Sequence, residues 1–447
     1  MGHGLSCSRD ADDHDLFRAA QAGDLHSLDV LLAADPALAR CATIYDRFTA
    51  LHIAAANGRL RVVSMLLDRG VHPDVVSRKK QTPLMLAAMH GNTDCVLSLL
   101  HAGANILTFE SVHARTCLHH AAYYGHTDCL QAILAAAQAA PVASSWGFAR
   151  FVNVRDEHGA TPLHLAARQG HPASVRLLLH KGAIVSAPPA AYGFPGSTPL
   201  HLAARSGNLD CIRELLAWGA DRLQRDSAGR IAHAVALKRG HTACAALLNP
   251  SAAEPMVWPS PLKFIGELKV DAKALLEAAL MEANREREKK ILKGTRYCPP
   301  SPAHSDDATD DEDDELDLCS ICFEQACSIE VQECGHQMCA ACTLALCCHS
   351  KPNPMTLLVQ PPTCPFCRST ISHLVVASKA AAEPERPASP RLSRRRSRRS
   401  REGSSSFKGL SSAVGSLSKI GRGSSRLADG GELVDKPEND LSVSVSV

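Results

Sequence analysis

The 447-residue chain lacks the features that would commit it to a membrane span, a secreted disulfide scaffold or a charge-driven partner. It has no run of about eighteen uninterrupted apolar residues, so no transmembrane helix is expected. Its first residues carry no secretory apolar core. The formal net charge is only +2, which argues neither for nor against a nucleic-acid partner for the chain as a whole. What remains is a 45% hydrophobic sequence, long enough for two or three domains and a sizeable core.

Cysteine is plentiful, with 18 residues, yet it is not spread as a disulfide framework would be. Ten cysteines fall between Cys319 and Cys367, and the others are scattered, mostly through helical patterns. Zinc ligation and buried thiols account for that distribution and point to a reducing cytosolic or nuclear setting. The cluster reads Cys319-x2-Cys322, Cys334-Gly-His336-x2-Cys339-x2-Cys342, then Cys364-Pro-Phe-Cys367. Each Cys-x2-Cys turn holds two thiolates close enough to share a tetrahedral Zn²⁺, so four half-sites make two closed structural centres.

This order of ligands resembles the RING finger, although a zinc module of LIM-like or adaptor type would share some of it. The resemblance implies cross-braced wiring, with Cys319, Cys322, Cys339 and Cys342 on one zinc and Cys334, His336, Cys364 and Cys367 on the other. Closed coordination of this kind leaves no position for an activated water, which argues against hydrolytic metal catalysis. About fifty residues bury too little apolar surface to fold unaided, so metal binding is expected to be part of folding. The RING resemblance further implies that Ile321 and Pro365 form the groove for a ubiquitin-conjugating enzyme. It gives Arg368 the task of bridging that enzyme and ubiquitin, for which a planar guanidinium fork is suited. Cys327, Cys347, Cys348 and His349 are assigned to loops outside the ligand sets, because using them breaks the half-site geometry at one centre.

Upstream, one phrase recurs from Thr49, Thr82, Thr116, Thr161 and Thr198, typically Thr-Pro-Leu-His-Leu-Ala-Ala. The starts lie 33, 34, 45 and 37 residues apart, which resembles the ankyrin period with two insertions. Each unit predicts a first helix after the Thr-Pro turn, a glycine, and a second helix ending in paired leucines. Alanines allow close stacking and leucines supply a core that no single repeat can bury. His52, His119, His164 and His201 are therefore expected to bond neighbouring backbone and not metal. Segments beginning at Phe17 and Ile231 read as degenerate end units, giving five clear repeats and two caps over residues 11–250. The insertions carry Trp146, Phe148, Tyr192 and Phe194, read as local packing in preference to partner contacts.

Residues 265–292 predict one long helix that either packs on the last repeat or acts as a spacer. Residues 303–317 form an acidic linker, with nine acids in the twelve positions from Asp306 to Asp317. Its self-repulsion predicts a zinc domain (318–376) that moves relative to the repeats. From 377 to 447 the composition predicts disorder, with seven arginines between Arg391 and Arg401 interleaved with Ser393, Ser397 and Ser400. Such a run suits nuclear import, an anionic membrane or a nucleic-acid arm, but no base-reading element accompanies it. Phosphorylation of the serines would cancel its charge. Residues 1–10 fit a lipidated N-terminus, with Gly2 as myristate acceptor, Ser6 at the preferred position and Cys7 as a palmitate candidate. One acyl chain anchors only marginally, so a second signal is needed.

Taken together, the Gly2 pattern, the repeat array and the single late zinc cluster resemble the plant ankyrin-RING ubiquitin ligases of the Xa21-binding protein type. Segments 51–56, 114–126, 147–154 and 339–349 carry the likeness. The resemblance implies a mainly α architecture: an ankyrin solenoid, a helical linker, a cross-braced two-zinc RING domain and a disordered tail. It implies a RING-type ubiquitin ligase that recruits a client, with a receptor-like kinase as candidate, and promotes transfer from a conjugating enzyme in defence signalling. No cysteine acts as a nucleophile in that mechanism, which works by positioning. The expected location is the cytoplasmic face of the plasma membrane, with cytoplasm or nucleus as the alternative. A non-catalytic ankyrin-RING scaffold is the competing reading.

Overall fold

The computed structural model describes residues 6–139, 147–187, 196–258, 267–293, 318–348 and 362–377. Gly2, Trp146, Tyr192, Phe194, the acidic linker, His349 and the arginine run lie outside these segments.

Seven helix pairs follow one another, from Ser6–Ala22 with Leu25–Ala34 to Ala232–Lys238 with Thr242–Leu248. First helices pack on first helices and second helices on second helices, so the array has two layers. The local cause is visible at each Thr. Thr49, Thr116, Thr161 and Thr198 are extended N-caps, and the histidine three residues on completes a capping box. In the first of these, His52 Nδ1 meets Thr49 Oγ1 at 2.9 Å and accepts from its N–H at 3.2 Å. The opposite ring nitrogen reaches the next repeat: His52 Nε2 to the Gln81 carbonyl at 3.0 Å, His119 to Ala160 at 3.3 Å and His201 to Arg230 at 3.0 Å. Nε2 of His164 has no partner among the described residues.

A second ladder runs along the turn between the helices. His126, His171 and His241 place Nε2 on the carbonyls of Met89, Tyr123 and Arg205 in the preceding repeat, and Asn92 donates to Ala55 and Ala56. These side chains sit where the preceding glycine has no Cβ. A Cβ on Gly170, whose φ is +82°, would lie 1.6 Å from the Asn208 amide. In the first insertion, Phe148–Val152 forms a short helix whose Phe151 is fully buried, while Phe148 is partly buried.

After the last pair, residues 250–258 lead to a two-residue strand, β1 (Glu267–Leu268), where a continuous helix is expected from composition. The helix itself spans Val270–Leu292. The zinc domain contributes β2 (Ile329–Val331), β3 (Gln337–Met338), a helix at Ala340–Cys348 and β4 (His373–Val376). Its sheet order is β1-β4-β2-β3, with β1 parallel to β4 and the other pairs antiparallel. The sheet therefore takes its edge strand from the segment that leaves the array.

This overturns the expectation of a zinc domain swinging freely on an acidic tether. The described residues up to Ala377 fall in one compact unit, in which the Val270–Leu292 helix packs on the last repeats and on the zinc-domain helix. The physical reason is apolar: Ala272, Leu276 and Leu280 share one core with Ile329, Val331, Leu344 and Leu374. Charge repulsion in the linker does not weigh against a buried core contact elsewhere.

Candidate metal centre

Two zinc knuckles frame the domain, and they are built alike. In the first, Phe323 N donates to the Cys319 carbonyl at 2.8 Å and Cys319 N to Gln325 at 2.8 Å. In the second, Arg368 N donates to the Cys364 carbonyl at 2.9 Å and Cys364 N to Ser369 at 2.8 Å. Each loop curls its backbone N–H groups towards its sulfurs, an arrangement that stabilises thiolates. Between the knuckles, Gly335 at φ +67° turns the chain so that Cys334 and His336 face one centre.

The ligand atoms gather as two groups of four, each within 4.8 Å of one another: Cys319, Cys322, Cys339 and Cys342, and Cys334, His336, Cys364 and Cys367. In chain order the first and third half-sites share one centre and the second and fourth share the other. Both donor sets fit zinc. Cys322 and Cys339 hold their sulfurs 3.8 Å apart, matching the about 3.8 Å sulfur separation of a tetrahedron with Zn–S near 2.3 Å. In the second group, Nδ1 of His336 is buried with no hydrogen-bond partner among the described residues, which suits a metal ligand. The chain is thus a two-zinc protein, with four thiolates at one centre and three with an imidazole at the other.

The thiols are electrostatically divided. Burial raises Cys319, but N–H groups of Cys339, Cys322 and Ile321 outweigh it and bring the thiol to about 6. Backbone N–H groups of Glu324 and Gln325 lower Cys322, and the Ser369 hydroxyl and N–H lower Cys367. Burial, with neighbouring sulfurs, raises Cys342 and Cys364. Four thiols in one place cannot all ionise against one another, and a divalent cation supplies the compensating charge.

Ile321, Pro365 and Arg368 all lie at the surface, Ile321 with 40% of its area exposed. Two neighbours escape a reading based on ligand spacing. Phe323 is 71% exposed, and Phe366 stacks on the His336 ring at 5.2 Å between centroids. The sequence signal for both is position alone: each stands next to a knuckle cysteine. Cys347 is not in a loop, since it is fully buried in the Ala340–Cys348 helix and faces the shared core, and Cys348 ends that helix. Cys327 is half-buried between the two half-sites. Cys7 lies within the first helix, and its side chain, like Gly2, falls outside the described residues.

One further gathering, His113, Glu157 and His158, joins two loop tips of the array. Glu157 meets His113 Nδ1 at 2.9 Å and His158 Nε2 at 3.4 Å, and its N–H donates to the His113 carbonyl at 2.9 Å. These solvent-facing contacts tie neighbouring repeats.

Comparison with known proteins gives the same division of the chain. Residues 318–373 match the family described as the E3 ubiquitin-protein ligase XB3/XBAT31 RING finger. Residues 16–110 and 107–188 match ankyrin repeats in three copies, and 195–227 a single ankyrin repeat. The chain is 72% identical over 450 residues to the E3 ubiquitin-protein ligase XB3 of Oryza sativa subsp. japonica, covering 99% of this chain and 100% of that protein. It is 32% identical over 398 residues to the E3 ubiquitin-protein ligase XBAT33 of Arabidopsis thaliana, covering 83% of this chain and 71% of that one. Among solved structures, the human ASB11 ankyrin repeat domain is similar at 30% identity and a TM-score of 0.43, covering 53% of this chain and 99% of that one.

Proposed function

The chain belongs to the XB3/XBAT31 family of E3 ubiquitin-protein ligases, and from that premise we propose that it carries a client protein on its repeats to a conjugating enzyme seated on the zinc domain, at the cytoplasmic face of the plasma membrane. Membership removes the non-catalytic scaffold reading. The observation that carries the mechanism is the pairing of closed metal sites with surface residues: both zinc centres are filled by protein ligands, while Ile321, Pro365 and Arg368 remain open to solvent.

Zinc held by Cys319, Cys322, Cys339 and Cys342 and by Cys334, His336, Cys364 and Cys367 would supply shape, fixing the two knuckles against the small sheet. Every other task falls to side chains. Ile321 and Pro365 offer the apolar seat for the conjugating enzyme, and Arg368 holds the enzyme-bound ubiquitin in the reactive arrangement. A substrate lysine amine then attacks the thioester carbonyl, forming the isopeptide bond as the enzyme's cysteine leaves. The ligase lowers the orientational cost of that attack and forms no bond to ubiquitin itself.

Client recognition falls to the array. Ile44 and Tyr45 are 89% and 81% exposed on one connecting loop, and Val76, Phe109 and Val112 are exposed on the next two. Apolar side chains presented along successive loops support protein binding. A receptor-like kinase is the candidate client, and a role in defence signalling follows from it. The Gly2 pattern supports the membrane location, with Cys7 or the arginine run as the second anchor.

Reconstitution tests the reading: zinc-loaded protein with activating enzyme, conjugating enzyme, ubiquitin and ATP should speed discharge of the thioester to free lysine. Fractionation tests the location. Gly2→Ala should move the protein from membranes to the soluble fraction, and a wild-type protein that is wholly soluble with an unmodified Gly2 removes the anchor.

A further inference from the structure

The Val270–Leu292 helix carries two stripes that do different things. Ala272, Leu276 and Leu280, spaced four apart, are buried in the core that also holds Ile329, Met338, Leu344 and Leu374 of the zinc domain. About 100° around the helix, Glu277, Asn284 and Glu288 form a second line at spacings of seven and four. That line faces the array. Glu277 Oε1 meets His180 Nε2 at 3.0 Å, and Glu288 receives the Arg213 guanidinium, whose Nε lies 2.9 and 2.7 Å from its two oxygens. Asn284 accepts from Met256 N at 2.7 Å and donates to the Met256 carbonyl at 2.9 Å, clamping the returning chain.

Aromatic packing closes the same junction. Trp218 follows the Leu209–Ala217 helix, stacks on Trp258 at 6.0 Å and takes the edge of His180 at 5.0 Å. Beyond it, β1 adds a parallel strand to β4, pairing Glu267 with His373 and Leu268 with Leu374. Apolar core, ion pairs and strand hydrogen bonds thus join array and zinc domain without using the acidic segment 306–317. The length of that segment does not set the reach of the zinc domain. Nor does the helix obstruct the conjugating-enzyme residues, since Ile321 and Arg368 are exposed with it docked.

We infer that this helix is a positioning strap: it makes the zinc domain a fixed extension of the array, so that geometry selects which lysines receive ubiquitin. A flexible tether lets the thioester sample many amines at a low effective concentration, whereas a fixed arm concentrates it on a few. Arg213, Glu288, Trp218 and Trp258 are positioning residues for the transfer, remote from the reacting atoms.

The test uses the full, zinc-loaded chain in self-ubiquitination, with modified lysines mapped by mass spectrometry. Wild type should modify a restricted set. Combining Arg213→Glu with Trp258→Ala should raise hydrogen exchange in residues 270–292 and spread modification to other lysines by about threefold or more. Discharge of the conjugating-enzyme thioester to free lysine should stay within about twofold of wild type, because the groove is untouched. In the single-site background, adding Glu288→Arg to Arg213→Glu restores the opposite charges and should restore the wild-type map. An unchanged map in the loosened variant overturns the inference, as does unchanged exchange in the strap. A parallel loss of discharge overturns it too, by placing the effect in the zinc domain itself. Absence of discharge in the wild type, by contrast, strikes at the proposed seating of the conjugating enzyme and not at the strap.

Discussion

Phe323 and Arg368 occupy the same backbone position, one in each zinc knuckle. Each directly follows the second cysteine of its Cys-x2-Cys turn, each adopts a left-handed conformation at φ +58° and +64°, and each donates its N–H to the first cysteine's carbonyl. A side chain in that region costs on the order of 1 kcal/mol, which glycine would avoid. Both turns therefore carry a side chain at a position where folding alone favours none, and both side chains are exposed.

Arg368→Gly separates the two demands. The variant should keep two zincs and be as stable as wild type or more so by about 1 kcal/mol, while thioester discharge falls about tenfold or more. Ile321→Ala should show the same loss with zinc retained. Metal analysis beside single-turnover discharge checks both, and full activity in both variants rejects the groove.

Metal removal should act on one part of the chain. Each structural zinc contributes roughly 10 kcal/mol or more to its site, so chelation should unfold the zinc domain and leave the array helical by circular dichroism. Wild type should hold two zincs per chain and Cys334→Ala should release the second-centre ion and stop transfer. A wild-type content of one zinc contradicts the two-centre arrangement.

Acid should weaken the array through its capping histidines. Burial lowers His52, His119 and His164 to about 4, so the folded array resists protonation that the unfolded chain accepts near 6.5. Their contribution, on the order of 3 kcal/mol each, is present above about pH 6.5 and is lost progressively as pH falls to about 4. His119→Gln keeps an acceptor for the capping box but cannot titrate. Urea denaturation at pH 7 and pH 5 should show a smaller loss for this variant than for wild type, and equal losses would refute the assignment.

Glycine substitutions should divide by what stands opposite. Gly182→Ala meets open space and suffers only the backbone cost of φ +92°, about 1 kcal/mol. Gly170→Ala must also displace the Asn208 side chain, adding roughly 2 kcal/mol. Paired thermal melts of the two variants check the order.

Repeats and ligands are legible in the sequence because they are local. Thr161, Pro162 and His164 declare a helix start within four residues, and Cys364 and Cys367 declare a half-site within four. The backbone-bonding role of His126, His171 and His241 is less visible, since their partners lie 36 to 48 residues upstream and only the stacking of repeats brings them together. The docking of the zinc domain is not legible at all. Ala272, Leu276 and Leu280 read as any amphipathic stripe, and nothing local says that their cover is Leu344 and Leu374. Leu268 enters a sheet because β4 stands beside it, against the helical tendency of its neighbours.

The strap also gives the two ends of the array unequal fates. Stacked repeats hold only to their neighbours, so opening begins at an end and travels inward. At the last pair, the strap covers the Thr242–Leu248 helix and ties it to a metal-stabilised domain. The first pair, Ser6–Ala22 with Leu25–Ala34, has a repeat on one side only among the described residues. Unzipping is therefore directional: among the described residues it starts at the Ser6–Ala22 and Leu25–Ala34 pair and runs towards the zinc domain, and hydrogen exchange along the array should fall in that order.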